Sequence, residues 1–145
     1  MPVYKNGTDF YRTGEVSEPD LVSSANGYRL PSGAEWEFAK RGGTQTKEYR
    51  YSGSDDLNTA GWNAGNSGYA VHEVGKKQAN ELGIFDMTGN LTEWSGDMNQ
   101  FSETVLRLEI GSNFNHSGGH YMMTYVPPDY AYYQAGFRVA LSAAP

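Results

Sequence analysis

The sequence contains no cysteine, which excludes disulfides, thiolate metal ligands and cysteine nucleophiles. It has no apolar run that approaches the roughly 20 residues of a membrane span, so we expect no insertion into a bilayer. Lysine and arginine total only 11, and no basic run is longer than Lys76-Lys77. A nucleic-acid backbone therefore finds no basic surface to bind, and we expect no nucleic-acid partner.

Charge is scarce as well, because charged residues make up 19% of the chain, below the usual quarter. The first residues, Met1-Pro2-Val3-Tyr4-Lys5, do not form a signal-peptide pattern. We expect a cytoplasmic location by default. Association with a virus particle or a surface assembly is the alternative, since export within a larger particle leaves no mark on the sequence.

Glycine and aromatic residues are abundant: the 145 residues include 18 Gly and 11 Tyr, and 14% of the chain is aromatic. This length suffices for one domain with a real core, so we expect a single domain over residues 1–145. The composition indicates a globular, loop-rich protein that buries rings rather than long aliphatic faces.

One helix is predicted between Arg29 and Gly43. Ser32 and Glu35 have the spacing of a capping box at its start, and Gly42 supplies a left-handed stop at its end. Two strands are also predicted, each by alternation of apolar and polar residues. Their inward side chains are expected to be Leu106, Leu108 and Ile110 in the first and Phe137, Val139 and Leu141 in the second. Residues 44–80 are expected to be mostly loop, with Trp62 and Val74 buried in the core as anchors.

The stretch Asn80–Asp97 is too rich in glycine for one helix and too apolar for a solvated loop. Its polar residues Asp86, Asn90 and Glu93 must be satisfied if the segment is buried. We interpret it as an irregular core segment that is pinned by hydrogen bonds or by a metal ion.

Three segments resemble the formylglycine-generating, or sulfatase-modifying factor, family. They are the helix at Arg29–Gly43, the stretch Asn80–Trp94, and the closing Gly136-Phe137-Arg138. The resemblance implies an α+β, C-type lectin-like fold with a small, mainly antiparallel sheet, one or two helices and long irregular loops. It also implies that this chain is N-terminally shortened relative to typical members.

The resemblance further implies a structural calcium site made by Asp86, the carbonyls of Gly89 and Leu91, and the carboxylate of Glu93. Carboxylate and carbonyl oxygens are the ligands that calcium takes. The alternative is that Asp86 and Glu93 simply cap backbone amides.

Catalysis is not expected. The formylglycine-generating enzymes depend on cysteines that this chain lacks, and iron-dependent relatives carry a histidine-rich motif in a separate domain. This chain has only His72, His116 and His120.

Residues 111–135 form a compositionally unusual segment: of 25 residues, 12 are Tyr, Ser, Gly or Asn, and Asp129 alone is charged. Antibody paratopes use the same mixture, since Tyr offers a large amphipathic contact area at little entropic cost. The alternative is a set of partly buried aromatic residues under a long loop.

The position of this segment resembles that of the mutagenised segment in variable proteins of diversity-generating retroelements, which place it at the C-terminal end of the same fold. Mutagenesis there acts at adenines and yields residues such as Asn, Tyr, Ser, Asp and His. Met122, Met123 and Val126 are expected to point inward, His116 is expected at the surface, and His120 is left undecided. The predicted contact residues are Asn113, Asn115, His116, Ser117, Tyr121, Tyr125, Asp129, Tyr130, Tyr132 and Tyr133.

We therefore expect a non-enzymatic module that binds a protein or cell-surface ligand through a diversified surface. The alternatives are a structural subunit of a virus or surface particle and, less favoured, an oxidase relative of the formylglycine-generating type. The sequence does not predict the oligomeric state.

Overall fold

The regular elements of the described part of the chain are three small sheets and two short helices, joined by long loops. The protein was studied as a computed structural model, which describes residues 4–6, 9–10, 20–21, 27–101, 103–119, 121–130 and 133–141. The strands are β1 (Tyr4–Asn6), β2 (Asp9–Phe10), β3 (Asp20–Leu21), β4 (Tyr28–Arg29), β5 (Thr92–Phe101), β6 (Thr104–Gly111), β7 (Met122–Val126), β8 (Ala135–Phe137) and β9 (Ala140–Leu141). The helices are α1 (Gly33–Lys40) and α2 (Leu57–Ala60), with a short 3-10 turn at Gly43–Gln45.

The largest sheet has the strand order β7-β6-β5-β8, in which β5 runs antiparallel to β6 and parallel to β8. The other two sheets have the orders β2-β1-β3 and β4-β9, with antiparallel pairing in both. The architecture is thus α+β with mainly antiparallel pairing, as predicted. Among the described residues, no helix combines the length and the apolar character needed to traverse a bilayer.

Helix α1 forms where the sequence predicts it. The Ser32 hydroxyl accepts from the Glu35 amide at 3.2 Å, and the Glu35 carboxylate accepts from the Ser32 amide at 2.8 Å, which completes the capping box. A hydrogen bond from the Arg29 guanidinium is the main reason that the pKa of Glu35 falls to about 2. Gly42 adopts the predicted left-handed conformation just beyond the helix.

The core is small and centres on Trp36, Met87 and Ile110, which are nearly inaccessible to solvent. Leu108 is equally buried, so the predicted apolar face of β6 is confirmed at Leu108 and Ile110, whereas Leu106 is half-buried. The stretch Asn80–Asp97 is irregular as far as Leu91, as predicted. Its remaining residues open β5, the longest of the described strands, which the sequence did not predict.

Two predictions of buried side chains are wrong. Val74 is 74% exposed, and Phe137, Val139 and Leu141 are each more than half exposed. Successive side chains of an extended segment point to opposite faces. Because Arg138 turns inward to reach a buried carboxylate, its neighbours must face outward.

At Gly89 the backbone passes in direct contact with the loop that contains Trp62, and a side chain there should destabilise the fold. A Cβ atom at Gly89 would lie 2.0 Å from the carbonyl oxygen of Trp62, and the backbone φ there is +74°. Gly83 has the same φ, but a Cβ atom there meets nothing within 4 Å. Gly83→Ala should cost about 1–2 kcal/mol for left-handed strain alone. Gly89→Ala should cost more than about 4 kcal/mol or prevent folding, because the backbone must separate.

The comparison is made by urea unfolding of both variants. Equal losses of stability would contradict the contact between the two loops.

Candidate functional site

The first residues of segment 111–135 are buried scaffold. Asn113 and Phe114 are each 2% exposed. The Ser112 hydroxyl accepts from the Gly89 amide at 3.0 Å, and the Phe114 amide donates to the Asn90 carbonyl at 2.9 Å. These bonds join the start of the segment to the irregular stretch before β5.

Asn113, a predicted contact residue, therefore does not lie at the surface. Its side-chain oxygen accepts from the Asn115 amide at 3.0 Å, and its carbonyl accepts from the His116 amide at 3.1 Å. Asn113 thus shapes the turn that displays its neighbours, as asparagine often does in loops.

Most of the other predicted contact residues are exposed. His116 and Tyr121 are half-buried, and Tyr132 lies outside the described residues, as does His120. Asn115, His116 and Ser117 line a cleft of about 270 Å³ together with Met122. The exposed members of the predicted set are Asn115, Ser117, Tyr125, Asp129, Tyr130 and Tyr133.

Strand β7 lies at one edge of the four-stranded sheet, and its first four side chains are exposed. Met123 and Tyr125 pair with Ile110 and Leu108 of β6, so they lie on the face that carries the core. Met122 and Met123 are 36% and 56% exposed, so neither is buried as predicted, whereas Val126 is half-buried. The alternation pattern of a strand does not reveal that the strand stands at an edge.

The far end of the segment is also held. The Thr92 amide and hydroxyl both donate to the Gln134 carbonyl, at 3.0 and 2.9 Å. The Tyr133 ring lies 6.1 Å from that of buried Phe114 while remaining 73% exposed. Strand β7 and the turn after it are thus exposed, while the residues before and after them are held by hydrogen bonds.

A second cluster surrounds Glu93, which is 8% exposed. One of its oxygens accepts from the Trp36 indole at 2.6 Å and from Arg138 Nε at 2.5 Å, and the other accepts from Arg138 Nη2 at 2.6 Å. The same guanidinium reaches the carbonyls of Phe85 and Asp86 at 3.3 Å. Arg138 thereby joins the end of the chain to the irregular stretch.

Three of the four predicted calcium positions, Asp86, Leu91 and Glu93, line a cleft of about 310 Å³ that also contains Arg138. Asp86 Oδ2 accepts from the Gly75 amide at 2.7 Å, whereas Oδ1 is buried without a hydrogen-bond partner. That orphaned oxygen fits a cation. The Glu93 carboxylate fits one less well, because both of its oxygens already accept N–H groups. Within the described part of the chain, no three His, Cys, Asp or Glu side chains group as metal ligands.

The sequence places Arg138 in a motif without indicating its role, and no pattern in it connects Trp36 to Glu93. The signal was the charge of Glu93 within an apolar stretch, which required a buried cationic partner somewhere in the chain.

Arg138→Met should destabilise the protein by about 3–5 kcal/mol, because it leaves Glu93 buried and unpaired. Adding Glu93→Gln should restore part of that loss, since the charge disappears and the Trp36 indole keeps an acceptor. The matched control is Lys76→Met, which breaks the exposed Lys76–Glu73 pair and should cost about 1 kcal/mol or less. Urea unfolding measures all three, and equal effects of the two single variants would contradict the role of Arg138.

The calcium prediction is tested by melting the protein in calcium and in a chelator. If the ion binds, calcium at 100 times its dissociation constant should stabilise the fold by about 2.7 kcal/mol. Asp86→Ala should abolish that difference. Identical melting of the native protein in both conditions would leave amide capping as the role of these carboxylates.

The chain matches the family model of the sulfatase-modifying factor enzyme 1-like domain over residues 8–143. Chaperone protein LppX of Paenibacillus barcinonensis is 41% identical over 101 residues, 58% of this chain and 36% of that protein. The formylglycine-generating enzyme of Mycobacterium tuberculosis is 38% identical over 95 residues, 56% of this chain and 31% of the enzyme. The inactive C-alpha-formylglycine-generating enzyme 2 of Bos taurus is 28% identical over 135 residues, 81% of this chain and 45% of that protein.

Two solved structures are also similar, each at 28% identity. The crystal structure of CarF superposes with a TM-score of 0.82 over 95% of this chain and 57% of that one. Treponema denticola variable protein 1 superposes with a TM-score of 0.73 over 100% of this chain and 55% of that one. The chain thus spans between 31% and 57% of the length of these relatives.

The relatives are named both as enzymes and as an inactive protein, so the names alone do not assign a reaction. The match over residues 8–143 and the two superpositions confirm the resemblance and the fold inferred from the three motifs. The chain belongs to the sulfatase-modifying factor, or formylglycine-generating enzyme, family.

Proposed function

We propose that this chain is a non-enzymatic ligand-binding protein and that the exposed part of segment 111–135 is its diversified recognition surface. One observation carries the proposal: a nearly uncharged strand and turn rich in tyrosine stand exposed between a buried start and a half-buried end, both of which are held by hydrogen bonds. Such a design separates the residues that hold the fold from those that meet a ligand.

Tyrosine suits this role because its ring provides contact area while its hydroxyl provides hydrogen bonding, and few torsions are lost on binding. Tyr125, Tyr130 and Tyr133 are 41%, 53% and 73% exposed. The similarity to a variable protein supports diversification of these positions. Because antibody paratopes use the same mixture of residues to bind proteins, we propose a protein or cell-surface ligand rather than a small molecule.

Sequencing the encoding locus in several sibling isolates tests diversification. We expect a second, near-identical copy of the region that encodes residues 111–135 and a neighbouring reverse-transcriptase gene. Siblings should differ where the second copy has adenine, and the differences should fall at exposed positions such as Asn115 and Tyr130 rather than at buried Phe114. An invariant segment without a second copy would refute diversification.

Binding is tested by replacing Tyr125, Tyr130 and Tyr133 together with Ser. The melting temperature should change little, since exposed side chains seldom contribute more than about 0.5 kcal/mol each. The wild type is applied to an array of cell-surface proteins, and spots that it binds should be lost with this triple variant.

The matched control replaces Tyr28, Tyr49 and Tyr69, which are exposed outside the segment. It should keep the wild-type pattern of bound spots. Identical patterns for the two triple variants would refute the proposed surface.

An assembly role is a second candidate, and the exposed apolar edge of β7 favours it. Among the described strands, β7 pairs on one side only, and an edge strand without charge or proline is a ready site for pairing with another chain. A concentration-independent oligomer in sedimentation would support assembly, and a monomer at all concentrations would oppose it.

A further inference from the structure

Tyr121 stands immediately before β7 and is the least exposed of the described tyrosines in segment 111–135. Its ring lies 5.6 Å from that of Trp36 in helix α1, with the two planes inclined at 30°. The Lys40 ammonium lies 4.3 Å from the centre of the same ring, within the range of a cation–π contact. Tyr121 is therefore packed against the helix rather than directed at solvent.

The Tyr121 hydroxyl and one oxygen of the Glu37 carboxylate are both buried without a hydrogen-bond partner, and the two groups influence each other electrostatically. Burial and this carboxylate raise the pKa of Tyr121, so the hydroxyl keeps its proton. Burial alone would raise the pKa of Glu37, but a hydrogen bond from Arg41 at 2.6 Å and the neighbouring Tyr121 and Lys40 outweigh it and lower that pKa. A protonated phenol thus lies near an ionised carboxylate, although no hydrogen bond joins the two groups in the structure, and the ring contacts with Trp36 and Lys40 hold Tyr121 in place.

The other side of this packing is equally fixed. The Trp36 indole donates to Glu93, and Glu93 is held by Arg138. Tyr121 therefore rests on a ring whose own position is set by a buried ion pair.

The contact of Tyr121 with α1 matters because the register of β7 decides which of its side chains face a ligand. Side chains alternate between faces along a strand, so a slip of one residue exchanges the two faces. In the observed register Met123 and Tyr125 share the face of Ile110 and Leu108, whereas Met122 lines the cleft beside Asn115. An anchor directly before the strand determines which side chains a ligand meets.

We propose that Tyr121 is a positioning residue and not one of the residues that contact the ligand. By packing against helix α1, it holds β7 in its observed register with β6. Its importance for recognition rests on the function proposed above, but its effect on β7 is measurable without any ligand.

The test compares Tyr121→Phe and Tyr121→Ser with Tyr49→Phe and Tyr49→Ser, which alter an exposed tyrosine outside the segment. Amide hydrogen exchange is measured residue by residue. Tyr121→Ser should speed exchange in residues 122–126 by about tenfold or more while α1 stays protected, and both Tyr49 variants should leave β7 unchanged. Unchanged protection of β7 in Tyr121→Ser would overturn the proposal.

The phenylalanine variant keeps the test decisive if Tyr121→Ser does not fold. Spectrophotometric titration of the wild type should show one tyrosine that ionises at higher pH than the others, and that tyrosine should be missing from Tyr121→Phe. Loss of an ordinary tyrosine instead would show that Tyr121 is solvated and would also overturn the proposal.

The protein array separates this inference from the proposed function. If Tyr121→Ser loosens β7 and the array pattern changes, both stand. If β7 loosens but the triple variant of Tyr125, Tyr130 and Tyr133 binds like the wild type, the positioning role of Tyr121 is supported and the proposed recognition surface is refuted.

Discussion

The structure depends on one buried carboxylate. Glu93 is the second residue of β5, directly after the irregular stretch, and it binds Trp36 of α1 on one side and Arg138 on the other. A buried charge is tolerated only when it is paired and hydrogen-bonded, so these three groups must meet for the fold to form. Their meeting fixes the helix against the sheet and turns the final segment so that Phe137 faces outward.

Polar contacts carry much of the interior elsewhere too. Among the described residues the buried set includes six apolar side chains, whereas twelve buried residues are polar or charged. Asn80 illustrates how they are satisfied, since its amide donates to the Ala39 carbonyl and the Ser52 hydroxyl while its oxygen accepts from the amides of Leu82 and Ile84. A scaffold specified by directional bonds keeps its shape while apolar and aromatic residues at its surface change.

Local signals in the sequence predicted local structure well. The spacing of Ser32 and Glu35 predicted the start of α1, and alternation predicted the buried face of β6. Features that depend on distant partners were missed. Strand β5 has a polar sequence and forms because β6 and β8 flank it, and the inward turn of Arg138 depends on a residue 45 positions earlier. Tyr121 and Tyr133 are chemically identical in the sequence, and only their tertiary neighbours make one an anchor and the other a surface residue.

The strand order has a consequence for chain length. Strands β7 and β8 occupy opposite edges of their sheet and run parallel to each other. The connection between them must therefore cross three strand spacings, about 14 Å, and also return by about four residues along the sheet, about 13 Å. The two displacements combine to about 19 Å, and eight residues can extend to about 27 Å, so the connection keeps some length to spare. Loop-closure entropy grows only with the logarithm of length, and doubling such a loop costs about 0.6 kcal/mol. This crossing can therefore accept insertions as readily as substitutions, so that the reach of the surface, and not only its chemistry, is open to variation.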